Sequence, residues 1–133
     1  MMQVSANHQK LRNDSLWKQG FELVQHIYNS LDDLKHFPEE RWTEKRLRLT
    51  AFDVLFYLSL ATSNHDPASA VVDWMHACKN LFALQAMYMF ACKQKFFELE
   101  PEWVLQMDAM LEACEARIAE LNRKTRRGVR MSR

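Results

Sequence analysis

The most distinctive charged residues of this chain are basic side chains concentrated at its C-terminal end. The last thirteen residues, 121–133, contain six basic side chains and no acidic one: Arg123, Lys124, Arg126, Arg127, Arg130 and Arg133. The whole chain has 18 Lys and Arg against 17 Asp and Glu, so taking these six away leaves 12 basic against 17 acidic residues in 1–120. A run of like charges stays solvated and attracts a polyanion, such as nucleic acid or an acidic membrane surface. A solubilising helix end whose cations suit the helix dipole is the alternative. Six cations exceed that need, so the pattern favours polyanion binding.

A second basic cluster lies near the start of a predicted helix and consists of Arg41, Lys45, Arg46 and Arg48. Arg41, Lys45 and Arg48 share one helical face if the helix begins a little before Thr43, whereas Arg46 lies to one side. Nearby glutamates could pair with these cations, so an ion-paired surface and a phosphate-contacting surface remain open alternatives. Trp42, at the helix entrance, could stack on a base or anchor the packing of the helix.

The spacing of the remaining reactive residues does not match a catalytic or metal site. No histidine pairs with cysteines or acids at zinc-ligand spacing. The Glu-x-x-His motif of di-iron bundles does not occur, although Asp73 and His76 have its spacing on one helix. Gly20 and Gly128 cannot form a phosphate-binding loop. We therefore predict no catalytic residue, no metal and no cofactor, and a protein that is not an enzyme.

Hydrophobic periodicity predicts four helices to position these clusters. The first covers residues 11–36 and ends before Pro38, with Gly20 inside it marking a close approach of a neighbour. The second covers about 43–62, the third begins at the Asp66 cap and runs to about Lys95, and the fourth covers about 100–121. Connections of about four to seven residues require antiparallel neighbours. The predicted fold is all-α: an up-down-up-down antiparallel four-helix bundle over residues 1–121, followed by a basic C-terminal tail over 122–133.

Length and composition are consistent with one globular domain. The chain has 133 residues, with only two glycines and three prolines, too few for the turns of a sheet-rich fold. No run of about 18 apolar residues and no secretory leader is evident. Cys78, Cys92 and Cys114 lie within apolar helical patterns and show no disulfide or metal spacing. We expect a cytoplasmic protein that does not enter a membrane.

The second and third predicted helices are more apolar than the core of one bundle requires. Only Gln85 is polar in residues 81–92, and only Asp53, Tyr57 and Ser59 interrupt the apolar run over 51–61. A deeply central helix is one explanation. The other is burial against a copy of the chain or a partner, which the eight methionines fit better because Met is common at adaptable contact surfaces. We therefore predict a homo-oligomer.

The order and spacing of several short segments resemble a known family. His36-Phe37-Pro38 is followed by Arg41, Ser63-Asn64 occupies the second turn, and residues 118–124 read Ile-Ala-Glu-Leu-Asn-Arg-Lys. Over roughly residues 20–128 the chain resembles the four-helix-bundle group. That group contains the accessory variability determinant (Avd) of diversity-generating retroelements and the bacterial ribosomal-RNA intervening-sequence proteins. The resemblance implies a non-enzymatic homopentamer that binds the retroelement's reverse transcriptase and its template RNA, or an RNA–DNA intermediate, during mutagenic cDNA synthesis.

Two other classes of function are compatible with the sequence. One is a helical RNA-binding subunit of another ribonucleoprotein, such as the small subunit of an RNA-guided effector complex. The other is a small-molecule or metal-binding bundle, which would need facing ligands that the sequence does not offer. If the protein binds RNA, either as a retroelement accessory protein or as a ribonucleoprotein subunit, we expect the tail to be mobile and outside the core. Deleting residues 123–133 should then weaken RNA binding but leave thermal stability almost unchanged.

Overall fold

Helices are the only regular secondary structure in the part of the chain that the structure describes. The computed structural model describes residues 6–33 and 41–131, with side chains described over 9–33 and 41–127. These ranges contain five helices and no strand: α1 (Ala6–Asn13), α2 (Ser15–Asp32), α3 (Arg41–Ser63), α4 (Pro67–Lys93) and α5 (Pro101–Met131). The all-α prediction is confirmed. The predicted helix end at His36-Phe37-Pro38 lies outside the described residues.

The first predicted helix is divided in two, so the prediction of one continuous helix was wrong. Asp14 has an extended backbone, with φ −87° and ψ 118°, and separates α1 from α2. Its carboxylate accepts a hydrogen bond of 2.9 Å from the backbone N–H of Trp17 and thereby caps α2. Asn, Asp and Ser bond to nearby backbone groups in place of the helical pattern, and residues 13–15 are Asn, Asp and Ser. The chain therefore forms a short helix before the bundle.

Local signals place the other described helix ends. Asp66 caps α4 by accepting from the N–H of Ser69 at 3.2 Å, and Pro67 occupies the first turn, as predicted. At the other end α4 stops at Lys93, two residues before the predicted end, because Lys95 adopts a left-handed conformation with φ 67°.

The last helix begins at Pro101, close to the predicted residue, but it does not end at Leu121. It continues to Met131, so most of the predicted tail extends the same helix. Arg and Lys are good helix formers and need no buried surface to remain helical.

The core is formed by α2, α3, α4 and α5. Its largest fully buried side chains are Leu23, Ile27, Leu31, Leu47, Val54, Leu58, Leu81, Leu84, Tyr88, Met107, Met110 and Cys114. Gly20 is also buried, and a Cβ there would collide with Cδ1 of Leu58. The expectation that Gly20 marks a close approach is therefore confirmed.

Polar contacts join the start of one helix to the end of its neighbour, as in antiparallel packing. Near the beginning of α2, Trp17 Nε1 donates to Ser59 Oγ in the last turns of α3 at 2.8 Å. Toward the other end, the Tyr28 hydroxyl of α2 donates to the backbone oxygen of Arg48 at 3.0 Å. Gln85 of α4 donates to Asp108 of α5 at 2.6 Å.

None of the helices in the described part of the chain combines the length and apolar content that crossing a bilayer requires.

Candidate nucleic-acid interface

The basic residues at the start of α3 occupy two adjacent grooves. Because α3 already includes Arg41, the i, i+4, i+7 spacing places Arg41, Lys45 and Arg48 along one side, where they line a shallow groove of about 600 Å³ together with Glu44 and Leu49. Arg46 instead lines a second groove of about 300 Å³ between α3 and the end of α4. The sequence prediction that Arg46 lies to one side is therefore confirmed.

Arg48 is held by the protein itself. Its Nη2 donates to Asp32 Oδ1 at 2.7 Å and to Glu44 Oε1 at 3.0 Å, and its guanidinium lies 5.2 Å from the centre of the Tyr28 ring. Burial opposes the charged form, but the hydrogen bonds to Asp32 and Glu44 outweigh it and raise the pKa of Arg48 above its ordinary value. These contacts join α3 to α2, so Arg48 differs from the other cations of the cluster.

The other three cations of this cluster are exposed. Arg41, Lys45 and Arg46 make no ion pair with any residue in the described ranges. These side chains, without an ion-pair partner among the described residues, are therefore accessible to an anion. Sequence spacing alone did not separate these three from Arg48, because Asp32 and Tyr28 reach Arg48 from another helix.

Trp42 is exposed, although aromatic residues at helix entrances often anchor packing. Its side chain retains 72% of its accessible surface and lines the second groove with Thr43, Arg46 and three residues of α4: Ala86, Met87 and Phe90. Successive helical residues are about 100° apart, so Trp42 lies between Lys45 and Arg46 on the outer surface of α3. This exposure leaves the aromatic face available to a ligand.

The second basic region lies on the last turns of α5. Arg123, Lys124, Arg126 and Arg127 are all exposed. Arg123 follows the buried Cys114 by nine residues, or two and a half turns, and therefore faces away from the core. It forms an ion pair with Glu120, whereas the other three make none with a described residue. Arg130 belongs to the same helix, but its side chain and all of Arg133 lie outside the described part of the chain.

The two basic regions belong to opposite ends of the bundle. Thr50, near the start of α3, contacts Met87 in the last turns of α4, with Oγ1 3.7 Å from Sδ. Toward the end of α5, Arg117 forms a bidentate pair with Asp14, at 2.8 and 3.1 Å, where α2 begins. At 1.5 Å per residue α3 is about 35 Å long, so an RNA that reached both regions would have to follow the bundle lengthwise.

Large apolar side chains line the outer faces of α3 and α4. On α3 they follow the spacing of one helical face: Leu49, Phe52, Phe56 and Leu60. On α4 they include Val72, Met75, Phe82, Met89 and Phe90. The prediction that these two helices are more apolar than one bundle core requires is therefore confirmed. Contiguous exposed apolar surface commonly marks a site of protein association.

The three cysteines lie in or beside the helical core. Cys114 is buried, Cys78 and Cys92 are half-buried, and all three are free thiols. Burial raises the pKa of the Cys92 thiol above its ordinary value. Within the described residues, no three His, Cys, Asp or Glu side chains are grouped so that they could hold a metal ion.

Comparison of the chain with protein-family models, with curated proteins and with solved structures finds no match.

Proposed function

We propose that this chain is a non-catalytic accessory protein of a diversity-generating retroelement. In this proposal the helical bundle forms an oligomer, a homopentamer by resemblance. The oligomer binds the reverse transcriptase and its template RNA in the cytoplasm and supports mutagenic cDNA synthesis. The long helices α2–α5 run up-down-up-down, in keeping with the contacts between helix starts and helix ends. The observation that carries the proposal is that one molecule presents both exposed cations without an ion-pair partner among the described residues and an exposed apolar face. The cations suit RNA phosphate, and the apolar face suits another subunit or the polymerase.

The assembly is tested by two neighbouring residues of α4 that differ in burial. Phe82 retains 64% of its accessible surface, whereas Leu81 is fully buried. We expect Phe82→Glu to dissociate the oligomer while the helical circular dichroism signal persists. Leu81→Glu should unfold the chain, because it buries an unpaired charge in the core. Light scattering reports the mass, and a single 15.8 kDa species for the intact chain would contradict the proposed assembly.

RNA binding is tested by titrating labelled RNA with the intact protein at several salt concentrations. Each neutralised phosphate releases counterions, so the affinity should fall steeply as salt rises. Structured RNA should bind better than duplex DNA of the same length. Affinity that does not respond to salt, or equal binding to a neutral polymer, would contradict a phosphate-directed interaction.

The polymerase partner is tested by co-expression. The proposal predicts that a reverse transcriptase gene lies beside this gene, with adjacent template and variable repeats. Neither a ribonucleoprotein subunit nor a small-molecule or metal-binding bundle would predict that arrangement. The protein should then co-purify with that reverse transcriptase and increase cDNA synthesis from the template repeat. Retention of full cDNA synthesis without this chain would overturn the accessory role.

A further inference from the structure

Trp42 combines three features that a purely structural tryptophan lacks. It is the exposed member of the four tryptophans, since Trp74 is buried and Trp17 and Trp103 are half-buried. It is adjacent to a groove whose opposite wall contains Met87 and Phe90. It also lies between Lys45 and Arg46, two exposed cations without an ion pair to any described residue.

This combination suits an anion that also carries a flat apolar surface. An apolar helix of a partner protein would fit the groove but would leave the surrounding cations without partners. An unpaired nucleotide satisfies both parts, because its base can stack on the indole while its phosphates approach Arg41, Lys45 and Arg46. In a duplex the bases are stacked on each other and cannot reach the indole.

We propose that Trp42, with the Arg46 groove beside it, is a stacking site for an unpaired nucleotide of single-stranded RNA. The site rests on the proposed RNA-binding function and specifies the form of RNA that it takes. Phosphates on either side of the stacked base lie near Arg41 and Lys45 in one groove and near Arg46 in the other. Stacking accepts any base, so the site prefers unpaired over paired RNA and does not depend on sequence.

Intrinsic tryptophan fluorescence of the intact protein tests this site directly. Single-stranded oligoadenylate should quench the emission, because its bases stack on the exposed indole. Heparin and duplex RNA should bind through their charge without the same quenching. Equal quenching by heparin, a polyanion without bases, would overturn the stacking site.

Substitutions at Trp42 separate stacking from charge. Trp42→Ala should weaken binding of single-stranded RNA by roughly 5- to 100-fold, the range for loss of one stacked base, without changing the salt slope. Trp42→Phe should retain most of the affinity because it keeps an aromatic face. Phe21→Ala is the matched control, since it removes an exposed aromatic side chain of α2, outside the apolar faces of α3 and α4, and should leave RNA binding unchanged.

The outcomes distinguish this site from the wider function. If the intact chain binds no RNA, the proposed function and the stacking site both fail. If the intact chain binds RNA but Trp42→Ala binds it equally well, only the stacking site fails. A Trp42→Ala protein that loses its oligomeric mass in light scattering would show that the groove receives another protein chain, which also overturns the site.

Discussion

The two basic regions differ in what surrounds their charge. Over residues 121–133 the sequence has six cations, of which Arg123 forms an ion pair with Glu120, and no aromatic side chain. At the start of α3 only three cations are unpaired with described residues, yet they surround an exposed Trp42 and two grooves. Charge on a solvated helix end attracts any polyanion, whereas charge beside an aromatic face also distinguishes unpaired bases. The α5 region (Arg123, Lys124, Arg126 and Arg127) is therefore suited to raising affinity for any polyanion. The α3 region (Arg41, Lys45 and Arg46, beside Trp42) is suited to selecting unpaired RNA.

Neutralising the α5 region should cause the largest loss of RNA affinity. Replacing Arg123, Lys124, Arg126 and Arg127 with Gln removes up to four phosphate contacts. At about 0.7 per contact, the log–log salt slope should become less negative by up to about 3, and affinity near 0.1 M salt should fall by roughly two to three powers of ten. Single-stranded and duplex RNA should lose similar factors. Fluorescence anisotropy across a salt series measures both quantities.

The control for this variant removes cations from elsewhere on the surface. Lys18→Gln with Lys79→Gln changes two exposed lysines of α2 and α4 and should alter the slope little. All six side chains are exposed, so the free energy of unfolding should change by only a few tenths of a kcal/mol in either variant. Unchanged binding by the four-residue variant would make the end of α5 a solubilising segment and the α3 region the main RNA contact.

Neutralising the α3 region should cause a smaller but more selective loss. Replacing Arg41, Lys45 and Arg46 with Gln removes at most three contacts, so the slope should change by up to about 2. Because these cations flank the aromatic face, single-stranded RNA should lose more affinity than duplex RNA. Competition between the two forms of RNA measures this preference. An equal loss for both would mean that the two regions bind RNA in the same way.

The smallest effect on binding is expected at Arg48, where the response should be in stability. Arg48→Gln removes hydrogen bonds to Asp32 and Glu44 and the contact with Tyr28, so we expect a loss of about 1 kcal/mol in the free energy of unfolding, discounted for partial exposure. Urea denaturation measures the loss. Arg46→Gln is the matched control, with unchanged stability and weaker RNA binding. The reverse pattern would assign Arg48 to the RNA and Arg46 to the fold.

Helix boundaries were predictable where short-range chemistry determines them. Asp66 and Pro67 begin α4 through a side-chain cap and a missing N–H, both of which are visible in the sequence. Asp14 provided the same kind of signal, but the helix predicted from residue 11 ran across it, because the apolar period from Trp17 onward does not itself mark the first residue of a helix. The end of α5 was misplaced for a related reason: the apolar pattern ends near Leu121, whereas the helix needs only residues with good helix propensity.

The roles of individual side chains at the candidate site depended on distant parts of the chain. Arg46 and Arg48 are chemically identical and two residues apart, yet Asp32 and Tyr28 of α2 hold only Arg48. Trp42 could have packed or remained exposed, and only the structure shows it exposed, beside a groove that residues near the end of α4 also line. Gly20 could be recognised as unusual within a helix, but only the packing of α3 identified Leu58 as its neighbour.

Sequence alone was enough to predict the helical class, the apolar outer faces of α3 and α4 and the position of both basic regions. These features depend on local propensity, on the 3.6-residue period and on charge, which a linear chain already contains. The tertiary structure decided that α2 holds Arg48 and that Trp42 is exposed beside a groove. Those properties require side chains that are 16 to 48 residues apart, as between Asp32 and Arg48 or Trp42 and Phe90, to meet within a few ångströms. Only the packing of helices against one another brings such residues together.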